Sequence, residues 1–467
     1  MKITSSFDNN ISLIKSKLKV KESFDIIQRN IIIGNKKTTM FYIDGFTKDD
    51  VMERIMNGFF TIKSEVMNSY KTPSEFIDNA IPYIEVSEEV DLDKIIDAVL
   101  CGQTSMFIDG YDKCIILDMR TYPVRGLAEP EKEKTLRGAR DGFVETIVFN
   151  TALIRRRIRD SRLIFDMHTI GKISKTDVCI AYMDGIVDKR SLDIVLEKIK
   201  SIDVDTLTLG DQSLVEALNN KNYLNPFPKV RYTERPDVAS SHLTEGSILI
   251  LVDNSPTAMI LPTSIFDFLQ DVDDYYFPLF TGNYLRLVRN LITISTIFLI
   301  PLYLLFVNGN ITLPTQFDFL FPKDSYSIPL IWQFLILEVA IDGLKLASLN
   351  TPNSLGMSLS VIGGLILGEY TVTTGWFIPQ TILYMSVVAL ASFEQSSIEL
   401  SYALKFMRIL LLILSGLLGY WGFIIGFILI VFIMYSTKTI TNDRYFYPLV
   451  PFNWRKLKNL LFRTRIK

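Results

Sequence analysis

The chain has 467 residues, of which 48% are hydrophobic and 21% charged, with a mean hydropathy of +0.25. This is too apolar for an ordinary soluble protein and too charged for a pure membrane bundle, so the two properties must be separated along the chain. Residues 1–286 carry 36 Lys+Arg against 43 Asp+Glu, and the rest carries 13 against 8, so an acidic part precedes a basic, apolar one.

The opening 40 residues are charged throughout and lack the continuous apolar core of a secretory signal, which places the acidic part in the cytoplasm. Residues 8–30 have apolar positions at helical spacing, with Asn9 or Asn10 able to cap the start. Short Ile-, Phe- and Tyr-rich stretches follow, broken by Asp-Gly and Asn-Ser turns and alternating with polar helical segments, which is an α/β pattern.

That pattern repeats. Tyr42-Ile43-Asp44-Gly45 with its following helical stretch matches Tyr182-Met183-Asp184-Gly185 at an offset of 140. SMFIDGYDKCIILDM around Asp109 resembles SILILVDNSPTAMIL around Asp253 at an offset of 144. Two similar lobes are therefore expected, residues 1–120 with the N-terminal helix and residues 143–265, each closing with a hairpin. Residues 121–142, with Pro, Gly and dense charge, read as the linker.

Residues 266–286 place aromatic side chains just ahead of the first long apolar run, as an interfacial belt would, although a small core of the second lobe would use the same residues. Apolar runs at 287–307, 327–348, 356–375, 376–393 and 406–435 predict a membrane domain over 287–437 with four to five helices. The last run is interrupted by GLLGYWG at 416–422. Arg286, Arg289, Lys405, Arg408 and the basic tail 438–467 predict that both ends face the cytoplasm. An even number of crossings follows, so one run does not cross or the last folds back at its glycines.

Chemical motifs are sparse. Gly171-Lys172 lacks the rest of a P-loop, and no nucleophile–base pair or metal-ligand spacing accompanies the two histidines and three cysteines, so neither enzyme nor cofactor is expected. Asp44, Asp109, Asp184 and Asp253 could be general bases, yet Asp before Gly or Asn is also what any turn selects. Nucleic acid is excluded as a partner by the acidity of the first part. Arg155, Arg159 and Arg162, on one face of a predicted helix, suit an interdomain contact or the phosphates of membrane lipid. Glu338, Asp342 and Lys345 share one side of an apolar helix, where charge is costly against lipid, as is Glu369 in its own apolar run. The three could line a pore, pair with one another at a bundle interface, or lie on an interfacial helix.

RGARDGFVE (137–145), NTALIRRRI (150–158), TERPDV (233–238), DNSPTAMILP (253–262), DDYY (273–276) and LEVAIDGLK followed by TPNSLGMSLSVIGGLILGE resemble the A subunits of the GerA family of bacterial spore germinant receptors. The likeness runs from about 135 to 435, with the motifs in order. Where that family has a segment like E-L-x-R-E, this chain reads Asp342-Gly343-Leu344-Lys345-Leu346, and one acidic position is absent. The resemblance implies an integral protein of the spore inner membrane. It would be a homo-oligomeric, channel-like subunit that couples nutrient sensing to ion release, alongside a transporter-like B subunit that binds the nutrient and a lipoprotein C subunit. The stage V sporulation AF-type branch is an alternative within the family. A membrane-anchored cytoplasmic signalling or ligand-binding protein is the alternative outside it.

Overall fold

The computed structural model describes residues 2–4, 6–122, 130, 133, 135, 137–219, 225–309, 314–322, 326–350, 363–364, 371–395 and 397–462. Two compact units divide the chain. The first holds residues up to 220 together with 230–262, and the second holds 221–229 and everything from 263 on.

The first unit is α/β and duplicated. Its first half runs α1 (Phe7–Leu18), β1 (Ile26–Ile33), β2 (Lys36–Ile43), α2 (Asp49–Thr61), α3 (Ser64–Ser69), α4 (Pro73–Ala80), β3 (Val86–Glu89), α5 (Leu92–Leu100), β4 (Thr104–Ile108) and β5 (Cys114–Leu117). Its second half runs α6 (Ile147–Arg157), β6 (Leu163–Ile170), β7 (Thr176–Met183), α7 (Lys189–Lys200), α8 (Asp211–Leu218), β8 (Arg231–Thr233), α9 (Pro236–Thr244), β9 (Ile248–Val252) and β10 (Ala258–Leu261). The sheets are antiparallel and have one topology, β1-β2-β4-β5-β3 and β6-β7-β9-β10-β8.

The first sheet is covered on both faces, which explains why β4 and β5 are buried at every position. Phe107, Cys114 and Ile116 pack with α1 and α5. Their neighbours Met106, Ile108, Ile115 and Leu117 point the other way, toward α2 and α4. The repeated aspartates are turn residues. Asp44 and Asp184 follow β2 and β7 and precede glycines with φ of 76° and 80°. Their N–H groups donate to the carbonyls of Asp25 and Arg162, each at 2.8 Å. The β4–β5 and β9–β10 pairs are the expected hairpins, and Gly171-Lys172 is the β6–β7 turn rather than a phosphate cradle.

The duplication extends further than the two sequence matches. The Asn10 amide bonds both backbone groups of Thr4, at 2.9 and 2.7 Å, and Asn150 does the same to Val144, at 2.8 and 2.6 Å. These two asparagines are also 140 apart, so α1 and α6 are equivalent helices.

The segment read as a linker is partly tied down. The buried Arg235 donates to the Glu133 carbonyl (3.1 Å), the Thr135 hydroxyl (3.0 Å) and the Ala139 carbonyl (3.0 Å). Burial raises the Glu133 carboxyl above its ordinary pKa, although Arg231 and Arg235 are close.

The second unit is helical, with α10 (Asp273–Tyr276), α11 (Leu279–Val307), α12 (Leu330–Asn350), α13 (Pro379–Phe393), α14 (Ile398–Ser436) and α15 (Trp454–Leu461). Most of 356–375, including Glu369, lies outside the described residues. The aromatic segment before α11 belongs to this unit rather than to the second lobe. Phe268 is buried with Leu400, Leu404 and Tyr445, whereas Phe280 and Tyr284 are exposed.

The glycines of α14 turn the helix back on itself. Gly419 has non-helical angles (φ 60°, ψ −136°). A Cβ at Gly426 would lie 2.7 Å from Leu411 Cδ1, whereas fifteen residues of unbroken helix would separate the two by about 22 Å. At Gly422 a Cβ would meet the Leu414 carbonyl oxygen at 1.8 Å. Gly422→Ala is therefore expected to cost about 1–3 kcal/mol, through backbone displacement that no rotamer change relieves. A lowered thermal midpoint of the purified protein in detergent checks this, and an unchanged midpoint would mean the two limbs do not close at this point.

A buried charge network in the helical unit

Charge concentrates where α12 meets α14. On α12, Glu338, Asp342 and Lys345 follow at intervals of four and three; on α14, Lys405 and Arg408 are one turn apart. Arg408 holds Glu338 with both arms, Nε to Oε1 at 2.6 Å and Nη2 to Oε2 at 3.0 Å. Its remaining Nη1 donates to the Thr296 carbonyl on α11 at 3.0 Å. Lys405 donates to the Glu338 carbonyl at 3.0 Å and to the Asp342 carboxylate. One guanidinium thus ties three helices, and both Glu338 and Arg408 are buried. A bidentate pair is the arrangement that best offsets removal of both charges from water.

The pairing differs from the one expected along α12 itself. Lys345 does not turn to Glu338 or Asp342 but donates to the Ser392 hydroxyl on α13 (3.1 Å) and stands 4.9 Å from the Phe393 ring centre. The three cations and two carboxylates leave one excess positive charge. Beside Asp342 and Lys345 lies a cavity of about 20 Å³ that Ser392, Gln395, Ser401 and Tyr402 also line, room for a single water. Asp342 is half-buried, and its Oδ1 has no hydrogen-bond partner among the described residues.

Lys405 and Arg408, which the sequence offers as charges that set orientation, are buried among helices. Arg286 and Arg289 are likewise buried. Arg289 Nη1 donates to Asp274 at 2.7 Å, and Arg286 Nε approaches the same oxygen at 3.4 Å. Of the charges that suggested orientation, the exposed ones are in the tail. Asp274, from the DDYY motif, is a site residue absent from the sequence-based candidates, although an acid cluster ahead of two arginines three apart is a usable signal.

A second network lies within the α/β unit. Arg155 is 0% exposed, and its guanidinium reaches Asp25 Oδ2 (2.7 Å), Asp25 Oδ1 (3.1 Å), the Leu163 carbonyl (3.0 Å) and the Asp160 carbonyl (3.0 Å). It joins the second lobe to the start of β1 in the first. Arg159 and Arg162 do not share its helix face, because α6 ends at Arg157 and Ile158 is extended. Both are exposed; Arg162 pairs with Asp160 at 2.6 Å, and Arg159 Nη1 donates to the Cys101 sulfur at 3.3 Å. Among the described residues, no three His, Cys, Asp or Glu side chains cluster as a metal site.

The sequence profile of the Bacillus/Clostridium GerA spore germination proteins matches residues 12–467. Over 459 residues the chain is 38% identical to stage V sporulation protein AF of Bacillus subtilis, covering 97% of this chain and 92% of that protein. It is 29% identical to spore germination protein A1 of the same organism, covering 98% and 94%, and 27% identical to its spore germination protein KA, covering 99% and 85%. The crystal structure of the N-terminal domain of the A subunit of the Bacillus megaterium spore germinant receptor GerK3 aligns with 56% of this chain and 96% of that one, at 23% identity and a TM-score of 0.40. A match across nearly the whole chain means that this protein belongs to the GerA family of spore germination proteins.

Proposed function

We propose that the chain is a membrane subunit of a spore germination complex, without enzymatic activity, and that its helical unit contributes to an ion path opened at the start of germination. The observation that carries this reading is the charge network. Five ionisable side chains converge where α11, α12, α13 and α14 meet, two of these helices, α11 and α14, being long and apolar enough to cross a bilayer core. A mere anchor has no use for such groups, which cost a few kcal/mol each at mid-membrane unless paired or facing water. Folded back at Gly419, the limbs 398–418 and 420–436 of α14 are about 30 and 25 Å long, close to the thickness of a bilayer core.

Within the network the roles divide. Glu338 and Arg408 hold the helices together, whereas Asp342 and Lys345, half-buried beside the cavity, are the groups that can meet water and a passing ion. The α/β unit faces the cytoplasm with the basic tail, the membrane is the spore inner membrane, and further copies of this chain with transporter-like B and lipoprotein C subunits complete the complex.

The 38% identity to stage V sporulation protein AF favours a second reading, in which the chain belongs to that branch rather than to the nutrient receptors. The neighbouring genes discriminate: adjoining B- and C-type subunit genes accompany a receptor, and genes of the stage V type accompany the other branch. Both readings share one test. Disrupting the gene in its spore-forming host should slow or abolish ion release on exposure to nutrients, and spores that release ions and germinate with unchanged kinetics would refute both.

A further inference from the structure

The C-terminal helix α15 has no part in the charge network, yet it is firmly placed. Asn453 caps its start, accepting from the Lys456 N–H at 3.2 Å. At its other end Arg286 Nη1 donates to the Leu460 carbonyl at 3.0 Å, satisfying one of the acceptors a helix terminus leaves open and fixing α15 beside the first turns of α11. Leu457 is buried on the inner side.

The outer side combines two features that do not suit water alone. Phe452 and Trp454 are 67% and 62% exposed, and their rings stack at 6.3 Å. Arg455, Lys456 and Lys458 are exposed around them. At the same end of α11, Phe280 and Tyr284 are exposed as well. From 438 to the end the sequence has eight Lys+Arg and one acid, Asp443, whose carboxylate accepts from the Thr441 hydroxyl.

We propose that α15, with Phe452 and Trp454, is a docking surface for anionic phospholipid headgroups, the rings entering the interfacial layer and the basic side chains meeting the phosphates. A bilayer surface presents both complements at once: negative charge, and a boundary region where aromatic rings settle. Arg286 couples the occupied surface to α11, so lipid binding there bears on the position of the first long helix. This inference rests on the membrane reading above.

The test uses the full chain reconstituted in vesicles of phosphatidylcholine with a minority of phosphatidylglycerol, one or the other brominated to quench tryptophan. The chain has four tryptophans, so Trp332→Phe, Trp376→Phe and Trp421→Phe together leave Trp454 as reporter. A companion variant keeps only Trp421, at the turn of α14. At equal mole fraction, brominated phosphatidylglycerol should quench Trp454 several-fold more than brominated phosphatidylcholine does. Adding Arg455→Gln, Lys456→Gln and Lys458→Gln should remove the difference. Equal quenching of Trp454 by the two lipids, or none, while Trp421 is quenched, overturns the proposal and leaves the membrane reading intact. Absence of quenching at Trp421 as well overturns both.

Discussion

Arg408→Met is expected to lower the stability of the helical unit by about 3–5 kcal/mol, because it leaves the Glu338 carboxylate buried without its bidentate partner, with Lys405 at 3.4 Å in its place. Glu338→Leu should cost a comparable amount by stranding the guanidinium. The double variant Glu338→Leu, Arg408→Met should recover most of the loss, since two apolar side chains need no partner in apolar surroundings. Thermal unfolding in detergent, with the fraction of protein eluting as the native species, measures all three. Singles as stable as the parent would mean that water reaches this pair, and the division of roles between Glu338 and Asp342 would then fall.

The second large effect is expected in the α/β unit. Arg155→Met removes the counter-charge of Asp25, which is 2% exposed, together with hydrogen bonds to the carbonyls of Asp160 and Leu163. About 3–5 kcal/mol should be lost. Arg155→Lys should recover only part, because an ammonium cannot grip both carboxylate oxygens in the fork geometry. Urea unfolding of a fragment covering residues 1–262 reads the difference. An unchanged midpoint for Arg155→Met would show that the contact adds nothing to the joining of the lobes.

The two networks also mark where the sequence was legible. The lobes could be read because each repeats a strand, an Asp and turn residue, and a helix in the same order, and local chemistry dictates such turns. Asn10 and Asn150 obey the same 140-residue offset but are not legible as a repeat, since a polar residue early in a helix looks like an ordinary cap until its bonds to Thr4 and Val144 are seen. Glu338 and Asp342 stood out as charges in an apolar run. Their partners did not, because Lys405 and Arg408 lie more than 60 residues away and nothing local states which helices meet. Arg159 and Arg162 show the same gap: helical periodicity runs on past Arg157 in the sequence, whereas the backbone turns extended at Ile158.

For the chain as an ion-conducting subunit, the most direct measurement is ion flux through sealed vesicles carrying it with its B- and C-type partners. The expected result is flux above that of vesicles holding the partners alone, with selectivity or rate altered by Asp342→Asn at unchanged assembly. Fully assembled complexes that pass no more ions than the partners alone would contradict the account.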